Sequence, residues 1–167
     1  MPHLTARLLA ELINRHGAAL KLYARQWCRD PDDVVQQALI DLAGIRELPV
    51  RPVAWLFAAV RRRAISLARS DGRRKRHEES AANLWFAQRR NRTDVAEAAA
   101  EMLAELPLPD REIVIAYLWG RLTFAEIAEV VGTSSSTAQR RYERAIERLR
   151  EKLAFSPGRL PCPNIEK

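Results

Sequence analysis

Apolar positions recur at helical spacing along most of the chain, and glycine or proline residues interrupt the pattern. No run alternates apolar and polar side chains as a half-buried strand would. The pattern predicts helices near residues 5–27, 31–44, 52–71, 94–106, 111–119, 124–131 and 135–153. We therefore expect an all-α protein.

The stretch from Leu122 to Leu153 has the clearest local signals. Thr123 and Glu126 have the spacing of a capping box, which starts a helix by satisfying its first backbone N–H groups. Gly132 follows the apolar positions of that helix and is suited to a left-handed helix end. Ser134 can then cap a second helix. Two short helices around a glycine turn predict a helix-turn-helix.

The second helix of this pair has one apolar side and one basic, hydroxyl-rich side. The apolar side holds Ala138, Tyr142, Ala145, Ile146, Leu149 and Leu153. Arginine and hydroxyl side chains contact base edges and phosphates in the major groove, so the other side is a candidate DNA reader. The candidate contacts are Ser136, Thr137, Gln139, Arg140, Arg141 and Arg144. The alternative is an ordinary helical hairpin with a solvated, charged face.

The helix predicted after Asp30 has a polar face that is also a candidate binding surface. Asp30 is a possible N-cap, Pro31 suits the first helical position, and Gly44 ends the pattern. An isoleucine flanked by acids and amides on one face is typical of a partner surface, although a solvated face with one stray apolar residue is equally compatible. The residues of this face are Asp32, Asp33, Gln36, Gln37 and Ile40.

The helix that opens at Pro52 carries a tryptophan and basic side chains opposite its apolar side. Trp55, Arg62, Ser66 and Arg69 line up there. Tryptophan and arginine on one stripe can stack on unpaired bases and hold their phosphates. The alternative is that Trp55 packs under a neighbouring helix while the arginines are merely solvated.

The net charge of +7 is concentrated in one segment. Between Arg61 and Arg76 there are eight basic residues and one acid, Asp71, so the rest of the chain is neutral overall. Arg46 and Arg51 add positive charge to the proline-containing loop before this helix. A patch of this kind favours a polyanion, most simply nucleic acid.

Composition divides the chain into two predicted domains. Residues 1–71 form the first, residues 72–93 a flexible linker that begins where Gly72 breaks the helix, residues 94–154 the second, and residues 155–167 a proline-rich, disordered tail. Within the linker, Leu84, Trp85 and Phe86 are an apolar cluster of undefined role.

Several classes of protein are disfavoured. Cys28 and Cys162 lie far apart in the sequence and have no metal-ligand spacing with the three histidines, so we expect free thiols, no metal and no cofactor. No nucleophile–base set or phosphate loop predicts an enzyme. No apolar run is long enough for a membrane span, and charged residues interrupt the N-terminal segment, so we expect a cytoplasmic location.

Taken together, these motifs resemble an extracytoplasmic-function sigma factor of bacterial RNA polymerase, over residues 20–154. Asp30–Leu42 is similar to the family's segment that grips the clamp helices of the largest polymerase subunit. Ala54–Arg76 is similar to its promoter-melting segment, and Leu106–Leu153 to its upstream-element domain. The order and spacing of the three segments in one short chain make the resemblance strong.

The resemblance implies two small helical domains: an N-terminal promoter-melting domain of three to four helices and a C-terminal helix-turn-helix domain. It implies core RNA polymerase and promoter DNA as partners, with an anti-sigma protein as a further candidate. The face that contains Asp33 would bind polymerase. The downstream element would be melted and held by Arg46, Arg51, Trp55, Arg61, Arg62, Arg63, Ser66 and Arg69.

The chain departs from the family pattern at positions that shape promoter recognition. Arg62 stands where the family usually has asparagine, and Ser66 lies near a usual aspartate. The reader helix runs Ala138 to Arg141 as Ala-Gln-Arg-Arg where the family usually has valine, a basic residue, serine and arginine. These departures indicate a divergent subgroup. A stand-alone helix-turn-helix regulator that binds duplex DNA as a dimer is the alternative, but the chain has no heptad seam for dimerisation.

Overall fold

The computed structural model of the chain describes residues 4–75 and 102–155. These residues form six helices, together with a short helical segment at residues 102–104, and contain no strand. The helices are α1 (Ala6–Ala24), α2 (Pro31–Gly44), α3 (Pro52–Lys75), α4 (Leu108–Leu118), α5 (Phe124–Val131) and α6 (Ser135–Phe155). The predicted all-α class is confirmed.

Residues 4–75, here called the N-terminal unit, form a three-helix bundle in which each of α1, α2 and α3 contacts the other two. Each helix turns its apolar stripe inward. Leu20 and Tyr23 from α1, Leu42 from α2, and Phe57 and Val60 from α3 have no exposed surface. Burying side chains of this size contributes roughly 1.5–3 kcal/mol each, which is what holds the bundle together.

Residues 102–155, here called the C-terminal unit, pack α4 and α5 against α6. The centre of α4 is buried on all sides, from Glu112 to Ala116. Ile127 of α5 and Ala145 of α6 are also fully buried. Helix α4 is thus the central element of this unit, and α5 and α6 form the pair at its surface.

The two units pack against each other, because α1 contacts α4 and α3 contacts α5. Buried residues of both units belong to one hydrophobic cluster. The packing is tight at Gly120, which follows α4: a Cβ atom on this glycine would lie 2.6 Å from Cζ of Phe57 in α3. The part of the chain that the structure describes is therefore in a closed arrangement of its two units.

The predicted helix boundaries at Gly72 and Asp110 were wrong. Helix α3 continues through Gly72 to Lys75, because a glycine costs only about 1 kcal/mol inside a helix and does not end one by itself. Asp110 lies inside the first turn of α4 rather than at its cap, which is Pro107. The helix begins earlier than predicted because proline is tolerated in a first turn.

Helix α1 also ends at Ala24, before the predicted Trp27. At the start of α2, Pro31 occupies the first turn as predicted, but the side chain of Asp30 makes no capping hydrogen bond. The acids Asp32 and Asp33 lie in that first turn, where they favour the positive end of the helix dipole.

Some predictions fall on residues outside the described ranges. They concern most of the 72–93 linker with Leu84, Trp85 and Phe86, the start of the helix predicted from residue 94, and the tail with Cys162. The domain boundaries that depend on them stay predictions.

Candidate nucleic-acid interface

The helix-turn-helix begins with the capping box that the sequence predicts. The backbone N–H of Thr123 donates to Oε2 of Glu126 at 2.9 Å, and the N–H of Glu126 donates to Oγ1 of Thr123 at 3.3 Å. Gly132 ends α5 with φ at 76°, the left-handed conformation in which glycine lacks the steric penalty of other residues. Both local predictions are confirmed.

A hydroxyl group starts the second helix of the pair. The backbone N–H of Thr137 donates to Oγ of Ser134 at 3.2 Å, as expected for an N-cap, and the Ser134 hydroxyl donates to Oγ1 of Thr137 at 2.8 Å. Helix α6 follows for 21 residues. This N-cap fixes where α6 begins and therefore the direction in which the helix extends from the glycine turn.

The inner face of α6 packs as its apolar side in the sequence predicts. Ala138 and Ala145 have no exposed surface. The ring of Tyr142 lies 4.5 Å from that of Tyr117 and 5.6 Å from that of Phe124, measured between centroids. Burial raises the pKa of Tyr142 above its ordinary value, so the phenol stays neutral. This aromatic cluster fixes the rotation of α6 about its axis.

The outer face of α6 carries the predicted reader side chains. Ser136, Gln139, Arg140 and Arg144 are exposed, and Thr137 and Arg141 are half-buried. A guanidinium N–H of Arg140 donates to Oγ1 of Thr137 at 3.4 Å, and the amide of Gln139 donates to Glu143 at 2.9 Å. The structure therefore brings the six residues onto one accessible helix face.

The residues predicted to bind the downstream element fall into three groups: exposed residues, the half-buried Trp55, and arginines paired with acids. Arg46, Arg62, Ser66 and Arg69 are exposed, and the last three share one patch on α3 with Arg61 and Ile65. Trp55 is half-buried and packs against the core, which is the alternative that the sequence left open.

The remaining arginines of this set are paired with acids. Nε of Arg63 donates to Asp41 of α2 at 3.0 Å, and this bond lowers the pKa of the Asp41 carboxyl. Arg51 donates to Glu129 of α5 at 3.2 Å, and Arg61 to Glu112 of α4 at 2.8 Å. Two arginines expected to hold DNA are therefore bound to acids of the other unit.

Glu112 is a functional candidate that the sequence interpretation missed. Its side chain is buried, and its carboxylate accepts from Arg61 and, at 3.4 Å, from the hydroxyl of Tyr23. Burial is the main cause that raises the pKa of Tyr23 well above its ordinary value, and the hydrogen bond to Glu112 raises the pKa of Arg61. A lone acid at the start of the apolar run Ile113–Leu118 was the available signal.

The predicted polymerase-binding residues share one exposed face of α2. Asp32, Asp33, Gln36 and Gln37 are exposed, and Ile40 keeps 53% of its surface accessible. Asp32 pairs with Lys21 of α1, and Gln37 donates to Asp41 at 3.3 Å. An exposed isoleucine ringed by polar side chains suits a docking surface; that role stays a prediction.

In residues 4–75 and 102–155, the helices lack the length and hydrophobicity that a membrane crossing requires. Within the same ranges, no three His, Cys, Asp or Glu side chains gather in a way that could hold a metal ion.

Comparison with known proteins gives a match to one family model and similarity to solved structures. A family model described as Sigma-70, region 4, matches residues 96–149. The structure of CnrH in complex with the cytosolic domain of CnrY is 27% identical, with 91% of each chain covered and a TM-score of 0.58. The sigma factor RpoE, in complex with the anti-sigma factor NepR from Bartonella quintana, is 20% identical, with 91% of this chain and 99% of that chain covered and a TM-score of 0.66. No curated protein matches the chain significantly.

These matches agree with the geometry of the two units. The region 4 match covers α4, α5 and most of α6, which include the helix-turn-helix and its exposed basic face. The similarity to the two solved structures extends over most of the chain and so includes the N-terminal unit with its basic helix. These matches support the resemblance to the extracytoplasmic-function sigma factors that the sequence motifs indicate.

Proposed function

We propose that the chain directs core RNA polymerase to specific promoters and starts transcription there by recognising an upstream and a downstream element. The observation that carries this proposal is the exposed basic face of a capped helix-turn-helix within the region 4 match. The chain contributes recognition and strand separation, and the polymerase performs the bond chemistry. Bacterial transcription takes place in the cytoplasm, which is where we propose that the chain acts.

The outer face of α6 is the proposed reader of the upstream element as a duplex. Arg140 and Arg144 are one helical turn apart and exposed, so both can enter the same groove. Arginine can bond a guanine edge with two N–H groups, and the hydroxyls of Ser136 and Thr137 can reach bases or phosphates. Ala138 and Ala145 on the opposite side are buried, so α6 is packed on its own unit while its outer face stays accessible.

The exposed basic patch of α3 is the proposed site for the downstream element. Arg62, Ser66 and Arg69 line it, and Arg46 lies in the loop before the helix. Taking a base out of the stack costs a few kcal/mol. Phosphate contacts and base stacking together offset this cost. Trp55 would have to leave its half-buried position to stack on a base.

Polymerase makes the two weak readers act together. If the exposed face of α2 docks on the core enzyme, both units are held near promoter DNA, and the second contact benefits from a high effective concentration. The free chain is then a poor DNA binder and the complex a good one. An anti-sigma protein is a further proposed partner, since the two similar structures contain CnrY and NepR bound to their respective proteins.

The test is association of the chain with purified bacterial core RNA polymerase, followed by gel filtration at moderate salt. We expect a stable one-to-one complex. Asp33→Ala combined with Gln36→Ala should weaken it, because both side chains lie on the exposed face of α2. The matched control is Glu11→Ala with Asn14→Ala, which removes an acid and an amide at the same spacing from an exposed face of α1.

The outcomes separate the proposal from its alternatives. Loss of the complex in the α2 variant alone supports the docking face. If both double variants bind core polymerase equally well, the exposed face of α2 is not the docking site. If the wild-type chain forms no complex but binds duplex DNA tightly by itself, the chain is a stand-alone helix-turn-helix regulator instead.

A further inference from the structure

Glu112 belongs to the C-terminal unit, but its hydrogen-bond partners belong to the N-terminal unit. Among the described residues, Glu112 is the one charged residue that is buried, with 5% of its surface exposed. A buried carboxylate needs a compensating charge and donors, since its desolvation is otherwise too costly. Arg61 and Tyr23, on α3 and α1, supply them.

These partners form an anion-binding site on the N-terminal unit. Nε of Arg61 donates to Oε2 of Glu112 at 2.8 Å, and an Nη2 hydrogen is directed at Oε1 at 3.3 Å. The Tyr23 hydroxyl donates to Oε2, and the guanidinium carbon of Arg61 lies 6.0 Å from the centroid of the Trp27 ring. The site thus offers two parallel N–H groups and a hydroxyl beside an aromatic ring.

The same donors suit a phosphodiester. The planar fork of arginine matches the oxygens of a phosphate as well as those of a carboxylate. Arg61 also lines the exposed patch of α3 with Arg62, Ser66 and Arg69, so a DNA strand held there passes next to the site. One guanidinium fork cannot hold a carboxylate and a phosphate in the same geometry at once.

A second ion pair between the units has the same polarity. Arg51 of the N-terminal unit donates to Glu129 of the C-terminal unit at 3.2 Å. Both groups are largely exposed, so solvent screens this pair and it contributes less than the buried one. In both cases an acid of the C-terminal unit covers an arginine of the predicted DNA surface.

We propose that Glu112 occupies a phosphate-binding site of the N-terminal unit, formed by Arg61 and Tyr23, and that DNA takes this site when the two units separate. Glu112 then holds the closed arrangement and masks part of the downstream-element surface in the free chain. The inference rests on the proposed function, because it requires promoter DNA as the competing ligand.

The apparent affinity for DNA follows from the same equilibrium. If the closed arrangement dominates, the affinity of the free chain is reduced by the fraction of molecules that are open. A change that weakens the Glu112–Arg61 pair raises that fraction. It therefore tightens DNA binding without adding any contact to DNA.

The experiment uses the full chain and a fluorescein-labelled, mixed-sequence, single-stranded 20-mer, with binding followed by anisotropy at one fixed salt concentration. Glu112→Gln keeps the shape of the side chain and removes its charge. We expect it to bind the oligonucleotide at least about fivefold more tightly than wild type, the lower end of typical coupling between sites. Glu112→Asp keeps the charge but shortens the reach, and should give a smaller gain.

Two controls separate this effect from a general change in charge or folding. Asp110→Asn removes the same charge from the same helix, and should change the affinity less than about twofold, within the effect of one screened surface charge. Arg61→Gln in the Glu112→Gln background should abolish the gain, because the released site then lacks its guanidinium. Circular dichroism must show the native helix content for each variant compared, and Glu112→Asp provides the test if Glu112→Gln does not fold.

No gain in the Glu112 variants, or a gain that persists without Arg61, would overturn the inference. Core polymerase binding and promoter-dependent transcription, measured with the wild-type chain, test the proposed function separately. If these succeed while the Glu112 variants bind the oligonucleotide like wild type, this inference alone fails. If they fail, the proposed function is wrong and the inference is overturned with it.

Discussion

Phe57 of α3 packs directly against Gly120, which follows α4, so the two units are in tight contact at this point. A Cβ atom on Gly120 would lie 2.6 Å from Cζ of Phe57 and 2.5 Å from the carbonyl oxygen of Ala116. Phe57 has no exposed surface and packs on Tyr23 with ring centroids 4.9 Å apart, so it cannot move aside freely. Only glycine fits at this point of the closed arrangement.

Gly120→Ala should therefore destabilise the protein. The added methyl group forces the phenyl ring and the end of α4 apart, an overpacking that typically costs about 1–3 kcal/mol. Urea unfolding followed by circular dichroism measures the loss. Gly44→Ala is the matched control: a Cβ there meets nothing within 4 Å, so this change should be neutral or stabilising by up to about 1 kcal/mol. Equal effects of the two substitutions would contradict the tight contact.

Gly132→Ala tests the turn of the helix-turn-helix. A Cβ atom at Gly132 meets nothing within 4 Å, so the cost comes from the backbone alone, whose φ is 76°. A non-glycine residue in the left-handed region loses roughly 1–2 kcal/mol, and Asn loses less than Ala because it tolerates that conformation. The free energy of unfolding should fall in the order Gly, Asn, Ala. An alanine variant as stable as wild type would show that the turn has another conformation in solution.

The stability of the protein should fall as the pH drops below about 6.5, in part because of His16. Burial is the main cause that lowers the pKa of His16, with smaller contributions from Arg15 and Arg121, and its Nδ1 has no hydrogen-bond partner among residues 4–75 and 102–155. The folded state therefore binds fewer protons than the unfolded state, so acid favours unfolding. Urea titrations from pH 7.5 to 5.5 should show a shallower decline for His16→Gln than for wild type; parallel declines would exclude His16 as a contributor.

Arg140→Ala should weaken recognition of the upstream element by about 1–3 kcal/mol and relax the sequence preference at one position. Arg140 is exposed on the outer face of α6, near its capped end. Footprints of the polymerase complex on a set of promoter variants measure both effects. Arg150→Ala, an exposed arginine late in the same helix, is the control and should leave the preference unchanged. Identical footprints for the Arg140 variant and wild type would remove Arg140 from the reader set.

Local chemistry made most helices predictable from the sequence. The capping box at Thr123 and Glu126, the glycine at position 132 and the Ser134 cap act within a few residues, so their spacing is sufficient to predict them. The apolar side of α6 was similarly predictable, since a helix packed on one side needs one apolar face. The predicted boundaries at Gly72 and Asp110 were wrong because the neighbouring residues are also helical. Helix α3 continues beyond Gly72, and α4 begins before Asp110.

Contacts between the two units were not predictable in this way. Arg61 and Glu112 are 51 positions apart, and nothing in the local pattern of either residue identifies the other as its partner. Charge and the family resemblance assign Arg61 to DNA. Helical periodicity places Trp55 opposite the apolar side of its helix, and burial under a neighbouring helix is the alternative. Both assignments depend on what the neighbouring helices cover, which only the packed structure reveals.

Promoter selection by the polymerase complex can be measured by mapping the 5′ ends of transcripts. Purified core polymerase would transcribe fragmented genomic DNA with and without the chain. We expect chain-dependent start sites preceded by two shared sequence elements at a fixed spacing, and a redistribution of these sites with Arg140→Ala. Start sites that are the same with and without the wild-type chain would contradict promoter selection by the complex.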